Sequence, residues 1–264
     1  MTLWFFAVIF AVIIVFLYMV LEAHRNTVIQ KNLALPGLPD AFEGFTLYFI
    51  SDVHRRRISE KMLAHIKAPD VVIIGGDLTE KGVPFGRVEQ NLVKLKRWGV
   101  PVLFVWGNHD RQVNDVFALH HLLQEQEIIV LENRSFSFER NQAVLNVIGV
   151  DDATTERDDL PLALSSAKPG FRILVSHNPI IVDKITPEHQ IPLVLSGHTH
   201  GGQIRLFGWG LREAGGLKAK PFGTLVISAG YGTTHLHLRL GAKADTWLIT
   251  LKKDQGLREG NQTI

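Results

Sequence analysis

Five short apolar runs each end in a turn bearing histidine, aspartate or asparagine, and this repetition constrains the chain more than any other feature. Thr46 to Ser51 delivers Asp52 and His54, Val71 to Ile74 delivers Asp77, and Val102 to Trp106 delivers Asn108 and His109. Arg172 to Ser176 delivers His177, and Leu193 to Leu195 delivers His198 and His200. Runs this short, rich in β-branched residues and closed by polar or glycine-containing turns, read as buried strands. Between them, Ser59 to Lys67, Val88 to Trp98 and Asn114 to Gln126 place apolar residues at three-to-four spacing and read as crossover helices. Ile128 to Leu131, Ser135 to Phe138, Ala143 to Val150, Thr224 to Ser228 and Thr246 to Leu251 add further strands, more than one sheet of ordinary size holds. We therefore expect an α/β fold, a four-layer αββα sandwich of two packed mixed sheets flanked by helices. In open α/β sheets ligands gather beyond the carboxyl ends of the strands, where all five turns fall.

Asp52, His54, Asp77, Asn108, His177, His198 and His200 together offer seven oxygen or nitrogen ligands, too many for one tetrahedral ion and suitable for two. The glycines around Ser196-Gly197-His198-Thr199-His200-Gly201-Gly202-Gln203 let two imidazoles approach a metal from a tight turn. Two divalent cations and two carboxylates leave a net positive centre, which attracts a phosphate. Ions about 3.5 to 4 Å apart can share a bridging hydroxide and clamp the attacking and leaving oxygens. The absence of cysteine excludes sulfur-ligated zinc, thiolate catalysis and disulfides. Mixed imidazole, carboxylate and amide ligands suit manganese, zinc and iron alike.

Asp52-Val53-His54, Gly76-Asp77, Gly107-Asn108-His109-Asp110, Ser176-His177 and Gly197-His198-Thr199-His200 occur in the order of the signature blocks of the calcineurin-like metallophosphoesterases, which the chain resembles from about Thr46 to Leu251. Gly201-Gly202-Gln203 and Arg239-Leu240-Gly241 resemble a branch of small bacterial members, some membrane-associated, including enzymes similar to UDP-diacylglucosamine pyrophosphatases. The resemblance implies that Asp52, His54 and His200 hold one ion, that Asn108, His177 and His198 hold the other, and that Asp77 bridges them. It also implies that His109 contacts the scissile phosphate and assists the leaving group, with Asp110 orienting it by accepting its other N–H. The run Arg55-Arg56-Arg57 departs from the apolar residues or glycine that many members carry there. Such a run ordinarily forms a solvated turn, but its place beside His54 makes Arg55 a candidate phosphate contact.

Taken singly, each histidine reads as a hydrogen-bonded core residue, and His24, His65, His120, His121 and His189 keep that reading. His235 and His237 flank Leu236 in a strand-like stretch, where one of them could line the cleft, and Asp151-Asp152 reads as a turn signal.

From Thr2 to Leu21 no side chain is charged, and as a helix Leu3 to Leu21 covers most of a hydrocarbon core of roughly 30 Å. A cleaved signal peptide is the rival reading, but no basic residue opens the segment and Leu21-Glu22-Ala23 is a poor cleavage site. Trp4 and Tyr18 suit the two interfaces, and Arg25 and Lys31 follow the helix, which places the catalytic part on the cytoplasmic side of a single-pass membrane protein. The chain thus divides into an anchor (1–22), a linker with an edge strand around Val28 to Leu33 (23–44), a catalytic domain (45–253) and a polar tail (254–264). A formal charge of +2, from nearly balanced acids and bases, gives no argument for nucleic-acid binding by a basic surface. The substrate is then a phosphorylated small molecule or a lipid-linked phosphoester or pyrophosphate. A scaffold that keeps the fold without catalysis is the competing class, but it is expected to lose ligands, and here none is missing.

Overall fold

A computed structural model describes residues 2–254. The polar tail read from the sequence lies, from residue 255 onward, outside the described residues. The chain begins with α1 (Thr2–Ala23), whose length and composition suffice to cross a membrane and whose apolar surface from Leu3 to Leu17 is exposed. Its last turn is docked: Glu22 and Ala23 are buried, and Arg239 N–H donates to Met19 O at 3.1 Å. Arg56 ties down the following connector. Its guanidinium lies 3.9 Å over the Tyr231 ring and donates to Arg25 O at 2.7 Å and Asn26 Oδ1 at 2.9 Å.

Next come β1 (Thr27–Leu35), β2 (Thr46–Ile50), α2 (Glu60–Ala64), β3 (Val71–Ile74), α3 (Phe85–Leu95), β4 (Val102–Phe104), α4 (Val116–Glu125) and β5 (Ile129–Val130). The second half holds β6 (Arg134–Arg140), β7 (Ala143–Gly149), α5 (Leu160–Ser165), β8 (Phe171–Val175), β9 (Leu193–Ser196), β10 (Gly216–Lys220), β11 (Gly223–Ile227) and β12 (Asp245–Lys253). Two six-stranded sheets result, ordered β1-β12-β2-β3-β4-β5 and β10-β11-β9-β8-β7-β6. Strands β2 to β5 run parallel, as do β7, β8, β9 and β11, while β12 is antiparallel to β2 and parallel to β1.

Period-two alternation builds the layers. In β2 and β3, Leu47, Phe49, Val71 and Ile73 face the second sheet and meet Val147, Ile173, Val175 and Leu195. Their neighbours Tyr48, Ile50, Val72 and Ile74 face outward beneath Leu63, Leu92, Leu95, Leu119 and Leu123 of α2, α3 and α4. On the far side Ile148, Leu174, Val194 and Ile227 pack under Leu160 and Ala163 of α5. Burying each such side chain contributes about 1.5–3 kcal/mol, which is why both faces of both sheets must be covered.

Local chemistry sets the helix ends. Ser59 Oγ accepts from Met62 N–H at 3.2 Å to start α2, which stops at Ala64, short of the expected Lys67, just ahead of Pro69. Asp115 Oδ1 caps α4 by accepting from Ala118 N–H at 2.9 Å. Strand β10 and helix α5 were not evident from the sequence: Gly216–Lys220 holds a single large apolar residue between a glycine and two lysines, and α5 is too short to show a period.

Candidate metal centre

The parallel strands bring their carboxyl ends to one edge, where Asp52 and His54 follow β2, Asp77 follows β3, Asn108 and His109 follow β4, His177 follows β8, and His198 and His200 follow β9. Asp52, His54, Asp77, His198 and His200 all adopt positive φ, between 50° and 67°. This conformation is costly for residues other than glycine, of order 1–3 kcal/mol each, and it turns the side chains back over the strand ends. Gly107 and Gly197 are required by close approach. A Cβ at Gly107 would stand 2.2 Å from Asp77 Oδ1, and one at Gly197 would stand 2.4 Å from Asp52 Oδ2.

The seven side chains converge as two groups. In the first, His54 Nε2 and His200 Nε2 are 3.1 Å apart, with Asp52 Oδ1 at 3.2 Å from His200 Nε2 and at 4.0 Å from His54 Nε2. In the second, His177 Nε2 lies 3.3 Å from His198 Nδ1, which lies 3.0 Å from Asn108 Oδ1. Asp77 Oδ2 touches both groups, at 3.1 Å from His177 Nε2 and 3.8 Å from His54 Nε2. Ligand atoms about 2.1 Å from a common ion stand roughly 3.0–3.4 Å apart, close to most of these separations.

The donor set calls for cations. His177 Nδ1 is committed to Gly75 O at 2.8 Å, so in a neutral ring Nε2 would turn a lone pair on the Asp77 carboxylate. Burial opposes a charged His177, yet the Asp77 carboxylate outweighs burial and pushes its pKa up to about 10. Burial holds His198 down to about 4 and His200 down to about 3, reinforced by His177 and His54 respectively. Burial would also raise both aspartates, but the imidazoles hold Asp77 and Asp52 below the usual carboxylate range. Buried carboxylates of this kind are stabilised by positive charge, and metal ions supply it while leaving the imidazoles neutral. The residues therefore fit divalent ions.

Glu80, which the sequence reading missed, faces His54 Nδ1 at 3.0 Å through Oε2. Burial would raise its pKa, but the contact with His54 lowers it to about 2. A carboxylate facing Nδ1 favours the tautomer that keeps the proton there and leaves Nε2 as the ligand atom. Glu80→Gln should weaken ion affinity at the His54 group about 10- to 100-fold and leave the His177 group unchanged, as metal titration of the full chain would read. Equal weakening of both groups would contradict this local role. Arg212 was also missed: its Nη1 lies 3.2 Å from His198 O and 3.4 Å from His198 Nε2. No spacing or motif marks either residue.

His109 presents its ring edge-on to His54, with centroids 4.9 Å apart, while its backbone N–H donates to Asp77 Oδ1 at 2.8 Å. It lines a cavity of about 300 Å³ with Arg55, Glu80, Lys81, Thr234, His235 and His237, so both histidines of the 235–237 stretch reach the cleft. Arg55 sits at the rim, where its Nε bonds to Glu80 and its Nη2 donates to Lys81 O at 3.1 Å. Arg57 instead binds Gln90. A larger cavity, about 640 Å³, opens at the amino ends of the strands between Pro36, Phe171 and Phe222 and has no titratable lining.

Asp110 differs from the expectation that it orients His109. Its Oδ1 accepts from Thr79 N–H at 2.9 Å and its Oδ2 from Gly107 N–H at 3.0 Å. The fully buried carboxylate thus braces the turns that carry Asp77 and Asn108. Burial, reinforced by the Asp77 charge, pushes its pKa up to about 7. Asp151 likewise does more than turn the chain, since its two oxygens pair with Arg111 at 2.6 and 3.2 Å.

The family model of the calcineurin-like phosphoesterases matches residues 45–202. The uncharacterized protein YpbG of Bacillus subtilis (strain 168) is 43% identical over 209 residues, covering 78% of this chain and 80% of that protein. A transmembrane protein with metallophosphoesterase domain from Danio rerio is 26% identical over 255 residues, 88% of this chain and 58% of that protein. The phosphodiesterase YaeI of Escherichia coli (strain K12) is 29% identical over 175 residues, 61% of this chain and 63% of that protein. The matched stretch runs from the residue before β2 to the turn after β9 and so takes in all five ligand-bearing turns, which places the chain in the calcineurin-like phosphoesterase family, among the metallophosphoesterases.

Proposed function

We propose that the chain is a membrane-anchored phosphoesterase that uses two divalent ions to hydrolyse a phosphoester or pyrophosphate bond. Asp52, His54 and His200 hold one ion, Asn108, His177 and His198 hold the other, and Asp77 is shared. The observation that carries this reading is Asp77 Oδ2, which stands within 4 Å of a histidine nitrogen from each group. When bound, two such ions acidify a water that serves as nucleophile and neutralise charge on the phosphate. Manganese, zinc and iron all suit these ligands.

The protein's own residues do the rest. Glu80 sets the His54 tautomer, Asp110 fixes the Asp77 and Asn108 turns, and Arg55 offers a guanidinium at the cleft rim for the phosphate. His109 lies beside the ion groups without joining the seven ligands, and we assign it to the leaving oxygen. Helix α1 provides the anchor, a reading supported by the relative from Danio rerio that is described as a transmembrane protein. We assign the catalytic part to the cytoplasmic side, a reading supported by Arg25 and Lys31 after the helix.

The test is reconstitution of the chelator-stripped full chain with a nitrophenyl phosphodiester as substrate. Activity should return with two equivalents of manganese or zinc, and full recovery at one equivalent would refute the two-ion reading. His109→Ala should retain both ions. It should slow an alkyl phosphodiester about 100-fold or more, the range of positioned acid–base assistance, and a nitrophenyl ester far less. Equal slowing of both esters would reduce His109 to a phosphate contact, and loss of an ion would make it a ligand.

A further inference from the structure

The loop between His200 and β10 presents a row of bare apolar side chains. Phe207 and Leu211 are essentially fully exposed, Trp209 is 82% exposed and Leu206 60%; Leu236, whose carbonyl accepts from the Gln203 side chain ahead of the loop, is exposed as well. The loop is braced. Leu206 N–H donates to Trp209 O and Trp209 N–H to Leu206 O, both at 2.8 Å, which closes a tight reverse turn over Phe207 and Gly208. Arg205 spans its base, donating to Arg212 O at 2.9 Å and Gly208 O at 2.6 Å. Phe207 has φ 50° at the tip, where asparagine, aspartate or glycine would be favoured. Neither turn chemistry nor packing within the chain accounts for a phenylalanine there. Several large apolar side chains exposed on one hydrogen-bonded loop mark a surface that meets something apolar.

The position of α1 identifies the occupant. Arg205 N–H donates to Leu240 O at 2.7 Å, and the adjoining Arg239 N–H donates to Met19 O at 3.1 Å, so the loop base is joined to the last turns of α1 through one short segment. A cavity of about 310 Å³ between them is lined by Tyr18, Glu22, Arg205 and Lys243. With a rise of about 1.5 Å per residue, Met19 lies only about one helical turn from the end of the apolar span. The loop base therefore stands at the level where acyl chains give way to headgroups. Tryptophan and phenylalanine, flanked by arginine and lysine, have the composition that this zone favours.

We propose that Leu206 to Leu211 inserts into the headgroup–acyl boundary of the bilayer that α1 crosses, giving the catalytic domain a second membrane contact beside the first. Because Arg212 at the end of this loop touches His198, the same contact fixes the metal centre relative to the membrane surface. The inference rests on the reading of α1 as an anchor, and its test separates the two.

The natural chain has no cysteine, so single cysteines can be labelled with an environment-sensitive fluorophore in the full-length protein. Reporters at Phe207→Cys and Leu211→Cys would be compared, in vesicles of phosphatidylcholine and phosphatidylglycerol, with Val12→Cys in α1 and with Lys168→Cys at the amino ends of the strands. Spin-labelled lipids serve as quenchers, and thermal melts confirm that each variant folds. Shallow quencher should reduce emission at 207 and 211 at least two-fold and leave 168 unchanged, while deep quencher acts on 12. Quenching at 12 without quenching at 207 and 211 overturns the loop insertion and leaves the anchor intact. No quenching at 12 overturns both.

Discussion

Asp77→Ala should yield a folded protein that binds neither ion and hydrolyses phosphodiesters at least about 10³-fold more slowly, because metal-derived charge stabilisation is worth several kcal/mol. The size of the effect follows from one atom serving two groups: Oδ2 faces His177 Nε2 at 3.1 Å and His54 Nε2 at 3.8 Å. Removing the carboxylate takes away the oxygen that faces His177 Nε2, so the second group loses a ligand together with the first, while the Nδ1 contact to Gly75 O still orients the ring. His54→Ala provides the contrast. It removes a ligand from the first group only, and the ion held by Asn108, His177 and His198 should persist. Elemental analysis of purified protein decides between the two patterns. Two ions retained in Asp77→Ala would show that the carboxylate is not shared.

Arg239→Leu should lower the melting temperature by about 10 °C or more and weaken metal binding at the His54 group. The Arg239 side chain is completely buried, and its guanidinium donates to five backbone carbonyls. Those of Ala229, Gly230 and Gly232 lie at 2.6, 3.1 and 2.6 Å, and those of His200 and Ala242 at 3.2 and 3.0 Å. Burial lowers its pKa to about 10, with Asp245 and Asp52 opposing the shift, so it remains charged at neutral pH. Leucine fills part of the volume but leaves the buried Ala229, Gly232 and Ala242 carbonyls without their donor, while those of His200 and Gly230 keep the backbone N–H groups of Gln203 and Asp245. Losing one side of such a buried charged network costs about 3–5 kcal/mol, a large share of ordinary domain stability. Lysine should restore little, since one ammonium cannot span five acceptors. The link to metal binding runs through His200, whose carbonyl is one of the five, and through the 229–232 turn, where Gly232 N–H donates to Asp52 O at 2.6 Å. A melting temperature within a few degrees of the natural chain would mean that water can replace the guanidinium and that the network is not a structural keystone.

Both predictions concern residues of different legibility. Asp77, like Asp52, His54, Asn108, His177, His198 and His200, could be singled out in the sequence because strand and turn are encoded locally. A short β-branched run closed by glycine or a polar residue ends where it must, and a chemical side chain placed there is visible without knowing the partner strands. The same locality made the alternation of β2 and β3, the crossover helices α3 and α4, and the apolar stretch of α1 readable. Non-local pairing was not readable. Nothing in Thr27–Leu35 announces that it lies parallel to Asp245–Lys253, or that β12 enters the first sheet between β1 and β2. The contacts of Glu80, Asp110, Arg212 and Arg239 were likewise visible only in the tertiary structure. A supporting side chain is defined by what other loops bring to it, and Asp110 shows how sequence adjacency misleads: it neighbours His109 but bonds to Thr79 and Gly107. The chain sequence thus determined the strand-end chemistry and the layered architecture, since both follow from short-range periodicity. The fold alone decided which turns face one another, because that depends on the closing of sheets across two hundred residues of chain.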